Sequence, residues 1–184
     1  MSDRRALEAL LRQRSLLFGD FVLASGEPSR YYIDARKTTM SAEGLQLIGA
    51  LGLEAIRQAG WAPNAVGGLT LGADPIAYAI AAASAATPPV VNAFSVRRAV
   101  KDHGTQRPIE GNLEPGSQAV VVEDVITSGR SALLALEAVR REGATVLGVL
   151  ALVDREQGGA GRIEAQGIKV VLLTTASRII GSSS

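Results

Sequence analysis

The chain has 184 residues, 47% hydrophobic and 20% charged, with a formal net charge of +1 and no cysteine. That size and apolar content suit one folded domain with a full core and exclude a disordered chain. Near-neutrality argues against nucleic acid or an anionic membrane as a partner, and the missing cysteines exclude disulfides, thiolate metal sites and cysteine nucleophiles.

The cations are 16 Arg against 3 Lys. A planar guanidinium suits phosphate and carboxylate, though a GC-rich genome gives the same bias. No apolar run reaches the ~20 residues that span a bilayer, and the N-terminus, broken by charges, lacks the apolar core of a signal peptide. The expected location is the cytoplasm.

In chain order, Asp3 can cap a first helix whose Leu7, Leu10, Leu11 and Arg14 share a face. Phe21-Val-Leu and Tyr31-Tyr-Ile-Asp34 predict two short extended segments around a Gly/Pro turn. Ser41 opens a second helix, which Gly60 closes. From Ala65 the pattern becomes strand, loop, helix. Ala65–Leu69 predicts a strand, Thr70–Pro75 a loop, Ile76–Ala86 a helix and Val90–Val96 a strand. Gln118–Val122 is apolar throughout, as in a parallel sheet covered on both faces. Ser131–Arg141 predicts a helix with Leu133, Leu136 and Val139 on its apolar stripe, and Val146–Val153 and Lys169–Leu173 two further strands. The alternation implies an α/β fold with a mostly parallel central sheet flanked by helices. No repeat or interdomain linker interrupts residues 1–184, and Gly181–Ser184 predicts a frayed tail.

The interval Arg98–Gly116 fits neither period. Structureless connections beyond ~12–15 residues are uncommon in compact domains and tend to be functional. Arg97, Arg98, Lys101, the sole His103 and Arg107 cluster around its first half, against the simpler reading of a solvated hairpin.

In open α/β sheets, ligands bind beyond the carboxyl ends of the strands. In VVVEDVITSGRS, residues 120–131, an apolar strand meets two acids, then a small polar turn opening a helix. Thr127, Ser128, Gly129, Arg130 and Ser131 offer amides and hydroxyls at a helix N-terminus, where an anion is favoured. The turn alone is weak, since many such turns are plain N-caps. The adjacent Glu123 and Asp124 sharpen it: they suit sugar hydroxyls, or the water shell of a Mg²⁺ ion travelling with the substrate. Together these features describe recognition of a ribose 5-phosphate.

This stretch resembles the phosphoribosyl-pyrophosphate (PRPP) signature of the type I phosphoribosyltransferases. FVLASGEPSRYYIDAR, VGGLTLGADPIA, VRRAVKDHGTQRPIEG, EDVITSGRS and LVDREQG follow the order seen in the orotate-using branch of that family, over roughly residues 18 to 158. The resemblance implies a type I phosphoribosyltransferase fold, with a small N-terminal hood over about residues 1–40, a core over about 41–175 and a mobile catalytic loop. It implies transfer of phosphoribose from PRPP to orotate, in pyrimidine biosynthesis.

For PRPP it points to Arg97, Arg98, Lys101, His103, Glu123, Asp124, Val125, Ile126, Thr127, Ser128, Gly129, Arg130 and Ser131, and for orotate to Tyr32, Thr127 and Arg155. Lys101, His103 and Asp124 would be catalytic. The cofactor would be Mg²⁺ carried by PRPP and water-bridged to Asp124, without a direct protein ligand. The partner would be a second copy, in a homodimer whose loop enters the neighbouring active site; neither nucleic acid nor membrane would take part.

The pattern has departures. Ala24 stands where some similar enzymes carry Lys, Arg98 replaces a common Lys, and the Gly68 loop lacks a Lys, leaving Gly72 and backbone amides toward pyrophosphate. A C-terminal helix of longer members would be missing. A phosphoribosyltransferase for another base, or a PRPP-sensing regulator without turnover, remains open at this point, although YYID, KDHG and the DR pair favour the orotate reading.

Overall fold

The computed structural model describes residues 2–22, 26, 28–98 and 108–181. Helix α1 (Ser2–Arg14) leads into a hairpin of β1 (Leu16–Val22) and β2 (Pro28–Ile33), followed by the one-turn α2 (Arg36–Thr39) and by α3 (Ala42–Gln58). Then come β3 (Ala65–Leu69), α4 (Ala73–Ala86), β4 (Asn92–Val96), β5 (Ile109–Gly111), β6 (Gln118–Ile126) and α5 (Arg130–Arg141). The chain continues through β7 (Thr145–Asp154), α6 (Gly159–Glu164), β8 (Val170–Thr175) and α7 (Ala176–Gly181).

The six-stranded sheet runs β5-β4-β3-β6-β7-β8. All neighbours are parallel except the antiparallel edge pair β4–β5. Side-chain alternation sends Val120, Val122, Leu150 and Leu152 to one face, against Leu7 and Leu11 of α1, Ile48 of α3, Ile76 of α4 and Ile179 of α7. Ala119, Val121, Val149 and Ala151 go to the other face, against Ala132, Leu136 and Val139 of α5 and Ile163 of α6. Both faces are therefore dry, which is why the central strands carry almost no polar residue before their carboxyl ends.

Four findings differ from the sequence expectation. Strand β6 does not stop at Val122: parallel pairing of Glu123 with Ala151, Val125 with Val153 and Ile126 with Asp154 carries the acid pair inside the sheet. The unassigned interval contains β5, held because Phe94 and Val96 offer an open ladder edge and Ile109 fills the core beneath it. Two short helices, α6 and α7, lack enough turns to show a period, and α7 provides a terminal helix where none was expected. Arg14 is exposed, so the buried face of α1 ends at Leu11.

Candidate active site

Strand β3 connects through α4 to β4 on one side, while β6 connects through α5 to β7 on the other. Pairing of β3 with β6 ends at Gly67–Val121, whereas β3–β4 pairing runs on to Leu69–Val96 and β6–β7 pairing to Ile126–Asp154. The sheet thus splits at its topological switch point, where α/β folds seat ligands. The split opens into a cavity of about 740 Å³. A hollow of about 770 Å³ between α3 and α4 lies away from the strand ends and contains neither the acids nor the polar turn.

The floor is the end of β6 and the turn into α5. Among the described residues, the N–H groups of Thr127, Ser128 and Gly129 meet no hydrogen-bond acceptor. Gly129 has φ +78°, and a Cβ there would stand 2.8 Å from the Gly159 carbonyl oxygen, so only glycine fits between turn and α6. Arg162 of α6 donates to the Ser128 carbonyl at 3.1 Å and ties the turn from behind. Thr127, Ser128, Arg130 and Ser131 line the cavity; Ile126 lies beneath it in the core.

The two acids differ. Glu123 is buried, and its Oε2 has no hydrogen-bond partner among the described residues. Burial pushes its carboxyl well above the ordinary range, the neighbouring Asp124 charge adds to this, and Arg98 opposes it. Asp124 is half-buried, and its Oδ1 accepts the Val125 N–H at 2.9 Å. Its carboxylate rests on Gly72, where a Cβ would lie 2.5 Å from Oδ1. Gly72 therefore belongs to the site as the seat of Asp124.

The loop after β3 supplies Leu71 and Gly72, and the Thr70–Leu71 peptide is cis. Arg98 reaches the cavity and donates from Nε to the Thr70 carbonyl at 3.1 Å. Arg97 turns away and pairs with Glu110 at 2.6 Å. Lys101 and His103 lie outside the described residues.

The remaining wall comes from the hairpin, α2 and the end of β7. Arg155 is buried, donates from Nη2 to Ser29 Oγ at 3.1 Å and lies over the Tyr31 ring at 4.7 Å. Its buried Nε lacks a partner among the described residues, an unmet donor beside the cavity. Tyr32 lines the cavity and packs against Phe21, ring centroids 5.7 Å apart. Ser29, Tyr31 and Arg162 escaped the sequence reading, because each reaches the site only through tertiary packing, as did the seating of Asp124 on Gly72.

Amide turn, acid pair and buried guanidinium around one switch-point crevice make this an α/β protein shaped for a phosphorylated ligand. The chain belongs to the phosphoribosyltransferase family, whose phosphoribosyl transferase domain model matches residues 40–174. It is 46% identical over 183 residues to the orotate phosphoribosyltransferase of Aquifex aeolicus, covering 98% of this chain and 99% of that protein. The Mycobacterium tuberculosis orotate phosphoribosyltransferase in complex with Fe(III) dicitrate superposes with TM-score 0.85 at 41% identity, covering 96% of this chain and 98% of that one. The same enzyme in complex with PRPP gives TM-score 0.80 at 35% identity, covering 97% and 92%. Within the family, the chain stands with the orotate phosphoribosyltransferases.

Proposed function

We propose that the chain transfers the 5-phosphoribosyl group of PRPP to N1 of orotate, giving orotidine 5-monophosphate and pyrophosphate for pyrimidine synthesis in the cytoplasm. The observation that carries this reading is the split between β3 and β6, which brings the free turn amides, Glu123–Asp124 and Arg155 around one cavity. The amides and hydroxyls of residues 127–131 take the 5-phosphate. Glu123 and Asp124 accept the ribose 2- and 3-hydroxyls. Tyr32, Thr127 and Arg155 hold the pyrimidine, the guanidinium facing its planar imide.

In the reaction the C1–oxygen bond to pyrophosphate breaks, the C1–N1 bond forms and the N1 proton is lost, through an oxocarbenium-like transition state. No protein nucleophile is required. The protein's tasks are alignment, exclusion of water and stabilisation of charge on pyrophosphate. Arg98 and the amides around Gly72 face that charge, and we assign Lys101 and His103 to the same duty.

Mg²⁺ carried by PRPP would supply charge neutralisation to the pyrophosphate. Asp124, with its carboxylate on the cavity wall, suits a contact through metal-bound water. Among the described residues no three carboxylate or imidazole groups converge on a single point.

A homodimer with the segment around Lys101 reaching the neighbouring site completes the reading. The apolar hollow between α3 and α4, with Tyr78 half exposed, offers a second copy a face to cover. Among the described residues no helix is long and apolar enough to cross a membrane.

Ultraviolet loss of orotate with PRPP and Mg²⁺ tests the activity, with hypoxanthine, adenine and uracil as competitors. Preference for any of these over orotate would refute it. Lys101→Ala and Asp124→Ala chains, each inactive, should regain part of the activity when mixed, because one site of each hybrid dimer is intact. Hybrids that stay inactive would rule out sharing.

A further inference from the structure

Arg36 is a cation on the cavity wall that none of these roles uses. It begins α2, directly after the strand that carries Tyr32. The platform beneath it is firm. Thr38 and Thr39 are buried, Thr38 Oγ1 and Ser15 Oγ share a hydrogen bond at 2.7 Å, and the Asp34 N–H donates to the Ser15 carbonyl at 2.9 Å. Asp34 accepts from Arg36 Nε at 2.8 Å, which fixes the guanidinium by one edge. Its two terminal nitrogens meet no partner among the described residues, although the side chain is only half exposed. A guanidinium tethered at Nε with both terminal amines free is pre-organised for a planar, bidentate acceptor.

The ligand chemistry narrows the choice, given the activity proposed above. Orotate differs from a neutral pyrimidine by a carboxylate next to the N1 that reacts. Arg155 gives Nη2 to Ser29 and its face to the Tyr31 ring, so its unmet Nε offers a ring oxygen one contact rather than a carboxylate a fork. The phosphates are served from other walls, by the turn after β6 and by the loop after β3 with Arg98. Arg36 is therefore the free fork on the side of the cavity that holds Tyr32.

We infer that Arg36 pairs with the carboxylate of orotate and sets the preference for the anionic base over neutral pyrimidines, with Asp34 as its positioning residue.

The test uses the full chain with Arg36→Gln and Arg36→Lys, checked for unchanged circular dichroism and melting temperature, with separate KM values for orotate and PRPP. Arg36→Gln should raise KM for orotate about 10- to 100-fold, the loss of one charge-assisted contact, with KM for PRPP within about 2-fold of wild type. Selectivity for orotate over uracil should fall with it. Arg36→Lys should recover only part, since a point charge replaces a fork. Asp34→Asn should raise KM for orotate less, leaving PRPP untouched. An unchanged orotate KM in Arg36→Gln, or a rise in PRPP KM instead, overturns the inference and in the second case assigns Arg36 to the pyrophosphate. A wild-type chain that leaves orotate unconsumed would sink the proposed function itself, a result distinct from either.

Discussion

The floor of the cavity and its hood-side wall are built on different principles. The floor, residues 124–131, works through backbone: free amides, a glycine turn and a helix start, with Gly159 and Arg162 packed behind. The hood-side wall works through side chains from distant parts of the chain, where Ser29, Tyr31, Asp34, Arg36 and Arg155 hold one another by single contacts. A backbone cradle recognises any phosphate and tolerates little change in its own geometry. A side-chain wall can be retuned for another base one residue at a time. The contrast explains how one fold can keep its sugar-phosphate chemistry while base preference changes.

The strongest way to break the floor is Gly129→Val. A β-branched residue at φ +78° is strained, and its Cβ would enter the 2.8 Å gap to Gly159. Turnover should fall on the order of 100-fold or more, the scale of losing pre-organised donors. Calorimetric titration with PRPP and Mg²⁺ should show binding lost together with turnover. Binding at wild-type strength would mean that the turn amides are not the phosphate site.

An intermediate effect separates the acids from the turn. Glu123 carries a carboxyl well above its ordinary range because it is buried beside Asp124. For a raised acid, the unfolded chain ionises first while the folded chain keeps its proton. Stability is therefore full below the ordinary carboxylate range and is lost as pH rises towards the folded value. Glu123→Gln removes that titration with little change of shape. The variant should show a flatter stability–pH curve and gain over wild type as pH rises through that window, by about 1 kcal/mol or roughly 2–4 °C in melting temperature. If Glu123 holds a ribose hydroxyl as proposed, the variant should also raise KM for PRPP about 10-fold above that window, where the wild-type acid is ionised. Thermal unfolding of both chains from pH 5 to 8 reads the first effect. Parallel curves would show that Glu123 titrates normally.

The same contrast governs what the sequence discloses. VVVEDVITSGRS is contiguous, so strand, acids, turn and helix announce the floor in twelve neighbouring letters. The extension of β6 through the acids is invisible there, because it depends on pairing with Val153 and Asp154 of β7. Arg155 stands out through the DR pair, but its holders Ser29 and Tyr31 lie more than a hundred positions away. Gly72 reads in the sequence as a loop glycine toward pyrophosphate, and only the fold sets it under the Asp124 carboxylate. Helices α6 and α7 are too short for a periodic signal, although α6 braces the turn through Arg162. Local chemistry is legible in one dimension; a wall assembled by tertiary contacts is not.

The mildest change tests whether the hood-side wall acts by aiming Arg155. Ser29 Oγ accepts from Arg155 Nη2 at 3.1 Å and donates to the Tyr31 carbonyl at 2.7 Å, so one hydroxyl orients the guanidinium and braces the strand that carries its stacking ring. Ser29→Ala leaves the 4.7 Å cation–π contact in place and removes the bond that aims the guanidinium, together with the hydroxyl's local bonds to Tyr31. A hydrogen bond from a charged guanidinium to a hydroxyl contributes about 1.5 kcal/mol or somewhat more, and this one aims Arg155 without touching the ligand, so KM for orotate should rise some 2- to 10-fold while kcat changes less. Ser29→Thr keeps the oxygen and should restore the KM. If alanine and threonine gave the same small rise, the loss would be one of packing rather than aim. Stacking on Tyr31 would then suffice to hold the arginine, and the wall would be stiffer than its single contacts suggest.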